Sequence, residues 1–465
     1  MPALSLTAAG PFLATGFKVG EVAPDTAIVW TRTTLRPERN PADGPMIEVR
    51  YRPGGRGRNR VFDRVVFPPG VTVADLRNAV PGAPGETRVR YRPQTETAWQ
   101  TTEWRAVDPD RDFTRQFRLT GLRPATTYMV RVECRPPGGN APSAVLTGQF
   151  RTAPAPEQPA RVVFAVSTGQ AYRDKDGPHG FDLYAGILSL HPDFFVHTGD
   201  IVYYDELGKS AALARYHWQR TYSLPSNVAF HRQVASYFIK DDHDTLVNDC
   251  WPGMNTPYMG DLTFDQGLAI FTEQVPMGCS TIRTHRWGRD LQIWLIEGRD
   301  FRSPNTMPDG PDKTIWGSTQ KAWFKRTVQA SDATFKVLVS PTPIVGPDRP
   351  GKHDNLANAA FAHEGNEIRQ FIATQKNLVV VCGDRHWQYF SVDPKTGVRE
   401  YSCGPASNRH AGGWSQKNFQ PDIHRFLKVA GGFLSGTVER REGRPRLTIR
   451  FHAVDGAVRF TDVIE

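Results

Sequence analysis

HTGDIVYYD, running from His197 to Asp205, decides how the rest of the chain reads. The apolar run that leads into it, DFFV, has the character of a buried strand, and it stops where Asp200 and Tyr203 begin. Two later stretches repeat the arrangement: YFIKDDHD, which carries Asp242 and His243, and LVVVCGDRH, which carries Asp384 and His386. In an open α/β sheet the carboxyl ends of neighbouring strands are where ligands and metals collect. Three strands that bring carboxylates, imidazoles and a phenol to one edge therefore predict a metal site.

The segments around these stretches give the fold class. RVVFAVST reads as a strand and FDLYAGILSL as an amphipathic helix, with Phe181, Tyr184, Ile187 and Leu188 at helical spacing, so a β-α-β unit opens the region. Further strands are expected at LQIWLIEG, FKVLVSP and LTIRFHAVD, and helices at Ala211–Tyr222, TQKAWFKRTVQ and AHEGNEIRQFIATQ. The expectation is an α/β fold, a layered sheet sandwich flanked by helices. The chain before it, Phe17 to Arg151, is patterned as an all-β region. TAPAPEQPAR, Thr152 to Arg161, separates the two as a Pro/Ala-rich boundary, which places the domains at 1–153 and 160–465.

At 465 residues and a net charge of +9, the chain is long enough for two cores and suits anionic substrates or surfaces. The Arg-rich stretches GGRGRNR and RVRYRP read as a solvated loop and an exposed strand face. No nucleic-acid motif accompanies them, so specific nucleic-acid binding is not expected. The five cysteines form no CxxC pair, which argues against a zinc ribbon or redox motif. Cys250 and Cys279 are a candidate bridge, and Cys382 reads as a buried thiol. No apolar run approaches the length of a membrane span. The opening MPALSLTAAGPFLATGFKVGEV lacks the basic-then-apolar order of a signal peptide.

A pair of cations serving phosphate chemistry needs oxygen-rich ligands and one anion shared between them. Asp200, after Gly199 at a strand end, is the candidate for the shared carboxylate. Tyr203 follows three residues on, and a phenolate there favours a hard metal such as ferric iron. Asp384 and His386 stand at i and i+2 of an extended segment and so share a face. Singly, an Asp after a strand serves as a helix cap, and a lone His or Tyr as a satisfied core group. Six such groups at three strand ends carry more weight together.

Together GDIVYYD, KDDHD and GDRHWQ resemble the GDxxY, DDH[DE] and GDxH motifs of the alkaline phosphatase D (PhoD-like) family of calcineurin-like metallophosphoesterases. IEGRDFRSP and WGSTQKAWFKRTVQASDATFKVLVSPTPI resemble that family's arginine segment and the stretch after it. The resemblance covers nearly all of the chain from Arg161 onward. LTGLRPATTYMVRV with GQFRTAPAP is similar to the last strands of a fibronectin type III domain, with Leu122 and Tyr128 as core residues and Trp30 as the early-strand tryptophan.

By that resemblance Asp200 bridges two metals, Tyr203 and His386 hold an iron-like ion, and Asp242 and Asp384 hold a second metal, commonly calcium. Zinc or manganese are the alternative metals. His243 stands beside the leaving group, Arg299 and Arg302 grip phosphate oxygens, and metal-bound hydroxide attacks phosphorus. The implied activity is hydrolysis of phosphate mono- or diesters, on small molecules, lipids or polymers and outside the cytoplasm. A phospholipase D-type phosphodiesterase and a degenerate, non-catalytic binding module are the alternatives. Two departures stand out. Gly169 occupies the place of the family's cysteine ligand, which leaves a water, Thr168 or another nearby group to complete the first ion. Glu297 stands where the family has aspartate. His197 reads as structural, and His353, His363 and His410 fall in later polar loops that reach towards the site.

Overall fold

A computed structural model describes residues 10–278 and 280–465 of the chain. Two mixed sheets form the larger part. The first runs Ala235–Phe238, Phe194–His197, Val162–Ser167, Phe433–Arg441, Arg444–His452 and Val458–Ile464, its first three strands parallel. The second runs Arg283–Trp287, Leu291–Leu295, Phe335–Ser340, Leu378–Cys382, Arg399–Cys403, Gln388–Val392 and His424–Lys428, with a parallel middle. The parallel strands are buried on both faces, which is why they read as unbroken Val/Ile/Leu/Phe runs. One apolar cluster, including Phe164, Phe194, Ile293, Val337, Val381 and Phe451, fills the space between the sheets. Helices such as Ala211–Tyr222, Gly317–Gln329 and Ala362–Ala373 coincide with the stretches expected to be helical.

The region before Arg161 is a β-structure of a three-stranded, a five-stranded and a two-stranded sheet. Val29, Phe117, Leu119, Val130 and Val132 pack into the cluster that continues through the larger sheets. Trp30 lies fully buried on the early strand Ala27–Arg32. Val29 faces the apolar cluster, and the two-residue period of the strand Ala27–Arg32 turns its neighbour Trp30 the other way. Its indole N–H donates to the Glu273 carbonyl at 2.8 Å, and the Lys18 ammonium sits 3.3 Å from the ring centre. Trp30 thus joins the two parts of the chain.

The ends of three strands are brought together by glycines. A Cβ at Gly199 would lie 2.5 Å from the Asp241 Cβ, and one at Gly383 would lie 2.3 Å from the Thr198 hydroxyl. The glycine in each Gly-Asp pair is therefore what lets one strand end close against the next. The residues that follow them, Asp200 and Asp384, sit in the left-handed region at φ 56° and 58°. Non-glycine residues rarely adopt that backbone, and it aims both carboxylates off the strand ends. Cys279, one half of the candidate bridge, lies outside the described residues; Cys250 is a buried free thiol, as are Cys382 and Cys403. The start of the chain, 1–9, also lies outside. Among the described residues no helix is long and apolar enough to cross a membrane.

Candidate metal centre

Asp200 is the hub. Its Oδ2 accepts from the Tyr203 hydroxyl at 3.1 Å and lies 3.5 Å from His386 Nε2, while the same hydroxyl is 3.4 Å from that nitrogen. Its Oδ1 is buried and has no hydrogen-bond partner among the described residues. Ligand atoms of Asp200, Asp242 and His243 lie within 4.8 Å of one another. Asp200 therefore stands between two groups of donors, one on the Tyr203–His386 side and one on the Asp242–His243 side. Asp384 lines the same cavity, of about 290 Å³, with Asp200, His243 and His386, and its carboxylate pairs with Arg385.

The electrostatics explain why such a cluster needs a cation. Burial pushes the Asp200 carboxyl up to about 6, with the nearby Asp242 carboxylate adding to it against the pull of His243. Burial, then the Asp200 charge, pushes the Tyr203 phenol well above its ordinary range. His386 goes the other way, to about 3, because burial and the cationic His243, Arg385 and Arg349 disfavour its charged form. A neutral imidazole, a phenol hydrogen-bonded to a carboxylate, and a buried oxygen with no donor make a set that a metal ion would satisfy. The residues present fit a bound metal ion.

His243 is held from behind. Burial alone would lower its pKa, but the Asp205, Asp242 and Asp200 carboxylates outweigh burial and raise it to about 10. Its Nδ1 lies 3.0 Å from Asp205 Oδ1, and its carbonyl accepts from the Tyr204 N–H at 2.9 Å. Asp205 in turn is kept at about 2, against burial, by His243 and by Arg58. Arg58 donates through Nε and Nη2 to Asp205 Oδ2 at 3.1 and 2.9 Å.

Arg58 belongs to GGRGRNR, so that stretch is more than the solvated loop expected from its composition. The turn Gly57–Asn59 carries this one arginine into the cavity wall. RVRYRP likewise differs from an exposed face: Thr87, Val89 and Tyr91 are buried and the arginines between them are half-buried. Arg88 packs on Trp104 and Arg92 on Trp99.

Arg299 and Arg302 are corrected by their surroundings. Neither lines the cavity. Arg299 is fully buried, donates to Asp241 Oδ1 at 2.6 Å and to the Cys250 carbonyl at 3.3 Å, and lies 3.5 Å from Asp242 Oδ2. Arg302 donates through Nε at 3.1 Å and Nη2 at 2.5 Å to Asn305 Oδ1, and its Nη1 is buried without a partner among the described residues. Arg299 thus braces the DDH turn from beneath, and the arginines that face the cavity are Arg58 and Arg349. Arg299→Leu leaves Asp241 buried without its partner and is expected to cost about 3–5 kcal/mol of stability. Denaturant unfolding of the metal-free protein reads this; an unchanged midpoint would show that Arg299 does not support the turn.

Glu297 occupies a matching buried role, with Lys240 Nζ 3.0 Å from its Oε2. His197 is buried with no partner at either nitrogen among the described residues, and burial holds its pKa near 3, so it is a neutral core group. His353 and His363 do not line the cavity, whereas His410 does. The His410 Nε2 lies 2.6 Å from the Tyr203 hydroxyl and its Nδ1 2.7 Å from Asp174 Oδ2. Thr168 is occupied, donating to the Gly199 carbonyl at 3.1 Å. Arg58, Asp205 and Asp174 were missed by the sequence reading as site groups. For Asp205 the signal was at hand, since it closes the HTGDIVYYD stretch; for Arg58 nothing in the sequence marks one arginine among the three of GGRGRNR.

Beyond the metal residues the cleft widens to about 1270 Å³ and is strongly basic, with Arg58, Arg60, Arg77, Arg173, Arg349 and Arg409 on its walls. The family model described as PhoD-like phosphatase matches residues 164–430, and that of the PhoD-like phosphatase N-terminal domain matches 3–154. Among solved structures, the one titled "Structure of PhoD" superposes with a TM-score of 0.70 at 15% identity, over 100% of this chain and 90% of that one. A purple acid phosphatase from yellow lupin (Lupinus luteus) seeds gives 0.62 at 12% identity, over 97% and 74%. No curated protein matches the chain.

Proposed function

The chain belongs to the PhoD-like phosphatase family, and from that premise we propose that it is a metal-dependent phosphoesterase that hydrolyses phosphate monoesters, diesters or both. One observation carries the reading: Asp200 sits between the Tyr203–His386 donors and the Asp242 carboxylate, with one carboxylate oxygen turned to Tyr203 and His386 and the other buried and without a partner among the described residues. That is the arrangement a carboxylate shared by two cations would take. Tyr203 and His386 would hold the first ion, and Asp242 and Asp384 the second. Bound cations supply the Lewis acidity and the water of low pKa that phosphoester hydrolysis requires. Iron and calcium are the pair suggested by family likeness; zinc and manganese also suit oxygen and nitrogen donors.

The chain's own residues supply the rest. Arg58 and Arg349 face the cavity from opposite parts of the sequence and place guanidinium groups where phosphate oxygens would lie. His243, with Nδ1 anchored on Asp205, directs Nε2 to the reacting phosphorus side and donates a proton to the departing alkoxide. The width and positive lining of the outer cleft favour a substrate that extends beyond one phosphate, which suits a diester. We also divide the chain into a fibronectin type III-like domain at 1–153 and a catalytic domain at 160–465. The ranges of the two family models support that division, and so does the Tyr128 hydroxyl, which accepts the Arg123 N–H at 2.9 Å in the manner of a tyrosine corner. Work outside the cytoplasm follows only from family habit.

Elemental analysis combined with turnover of nitrophenyl phosphate and its bis-ester tests the proposal. Two ions per chain and hydrolysis of at least one ester are expected. Protein that takes up no iron, calcium, zinc or manganese and turns over neither ester would leave the fold serving as a binding module.

A further inference from the structure

We propose that His410 is a ligand of the first metal ion, filling the space that a side chain at position 169 would otherwise take. The proposal rests on the phosphoesterase reading only in requiring that a cation bind beside Tyr203. Four donor atoms meet there: His410 Nε2 is 2.6 Å from Tyr203 Oη, which is 3.1 Å from Asp200 Oδ2 and 3.4 Å from His386 Nε2. Ligands around one ion at bonds of about 2.0–2.2 Å stand roughly 3 to 3.5 Å from each other. The His386 and His410 rings lie with centres 4.1 Å apart, tilted by 46° to one another.

The other nitrogen of His410 fixes its chemistry. Nδ1 is bound by the Asp174 carboxylate at 2.7 Å, so the proton sits there and Nε2 presents its lone pair. A carboxylate behind a metal-binding imidazole is the usual means of orienting the ring and strengthening it as a donor. The backbone is built to hold this pose. The Ser407 hydroxyl donates to the Asp174 carbonyl at 2.6 Å, and the Ala406 N–H to the Gly169 carbonyl at 3.1 Å.

Gly169 completes the argument. A Cβ there would stand 3.3 Å from the His410 ring and 3.5 Å from the His386 ring, so the position faces the ion. A side chain at 169 would press on His410, since 3.3 Å is tighter than ordinary contact, and the φ of 55° already favours glycine. A ligand at 169 and a ligand at 410 would compete for the same side of the ion; this chain has the second. The resulting set of two imidazoles, a phenol and a carboxylate contains no sulfur and suits zinc, manganese or iron.

Metal binding by variants is the test, with zinc and cobalt(II) as probes added to metal-free protein. Wild type is expected to hold two ions per chain. His410→Ala should retain one, or bind its first ion at least a hundredfold more weakly, and Asp174→Asn should weaken it by about 10- to 100-fold. The double variant Gly169→Cys/His410→Ala should regain the ion and show a thiolate-to-cobalt absorption band that wild type lacks. X-ray absorption on wild type loaded with one equivalent of zinc needs no variant to fold and should count two imidazoles. A single imidazole, or His410→Ala with wild-type stoichiometry and affinity, overturns the role of His410 while leaving the metal centre intact. A wild type that binds neither probe overturns both.

Discussion

Asp200→Asn is expected to give a folded protein that has lost its metal ions and, with them, nearly all turnover. The amide is the same size as the carboxylate but is neutral, and it offers one acceptor oxygen where two were needed. Both donor groups around it are then deprived of their shared anion: Tyr203 and His386 on one side, Asp242 and Asp384 on the other. Lewis-acid stabilisation of phosphoryl transfer is worth several kcal/mol, so the rate should fall about a thousandfold or more. Stability should move in the opposite direction. Burial raises the Asp200 carboxyl to about 6, so keeping it ionised near neutral pH costs the metal-free fold free energy. The asparagine variant without metal should therefore unfold at the same denaturant concentration as metal-free wild type, or a higher one. Two ions per chain in purified Asp200→Asn would remove the basis of the whole reading.

His243→Ala should separate metal binding from chemistry. The ring reaches the cavity from the DDH turn and is braced by Asp205, which Arg58 holds in turn. A positioned proton donor contributes roughly 10²–10⁴-fold to a rate. Turnover should thus drop by about two to three orders of magnitude while elemental analysis still finds the wild-type metal content. The loss should be greatest for esters with poor leaving groups and small for nitrophenolate, which departs without protonation. Full activity on an alkyl phosphate ester would show that His243 is not the leaving-group partner. Loss of the metals would instead place it among the ligands.

The strands were legible because their residues are buried on both faces, and continuous apolar runs such as FFVH and LVVVC have few other uses. The turn residues were legible for a related reason. Gly199 and Gly383 stand where any side chain would strike the neighbouring strand end. Arg299 was misjudged because an arginine four residues beyond a buried strand looks the same whether it meets a phosphate or an internal carboxylate. Its partner, Asp241, lies 58 positions away. What covers Trp30 was not legible, because alternation gives two faces to a strand but does not say what packs on each.

The sequence alone determined the α/β layering, the all-β start, and the three strand ends that carry Asp200, Asp242 and His386, since these follow from local pattern and backbone geometry. Only the tertiary structure decided which remote groups finish the site. It brought Arg58 from the N-terminal region to Asp205, turned Arg299 inward, and set the His410 ring against Gly169. The reason is that a strand or turn is selected by neighbours in the chain. A charged side chain takes its role from whichever opposite charge, donor or empty space the folded backbone places within a few ångströms of it.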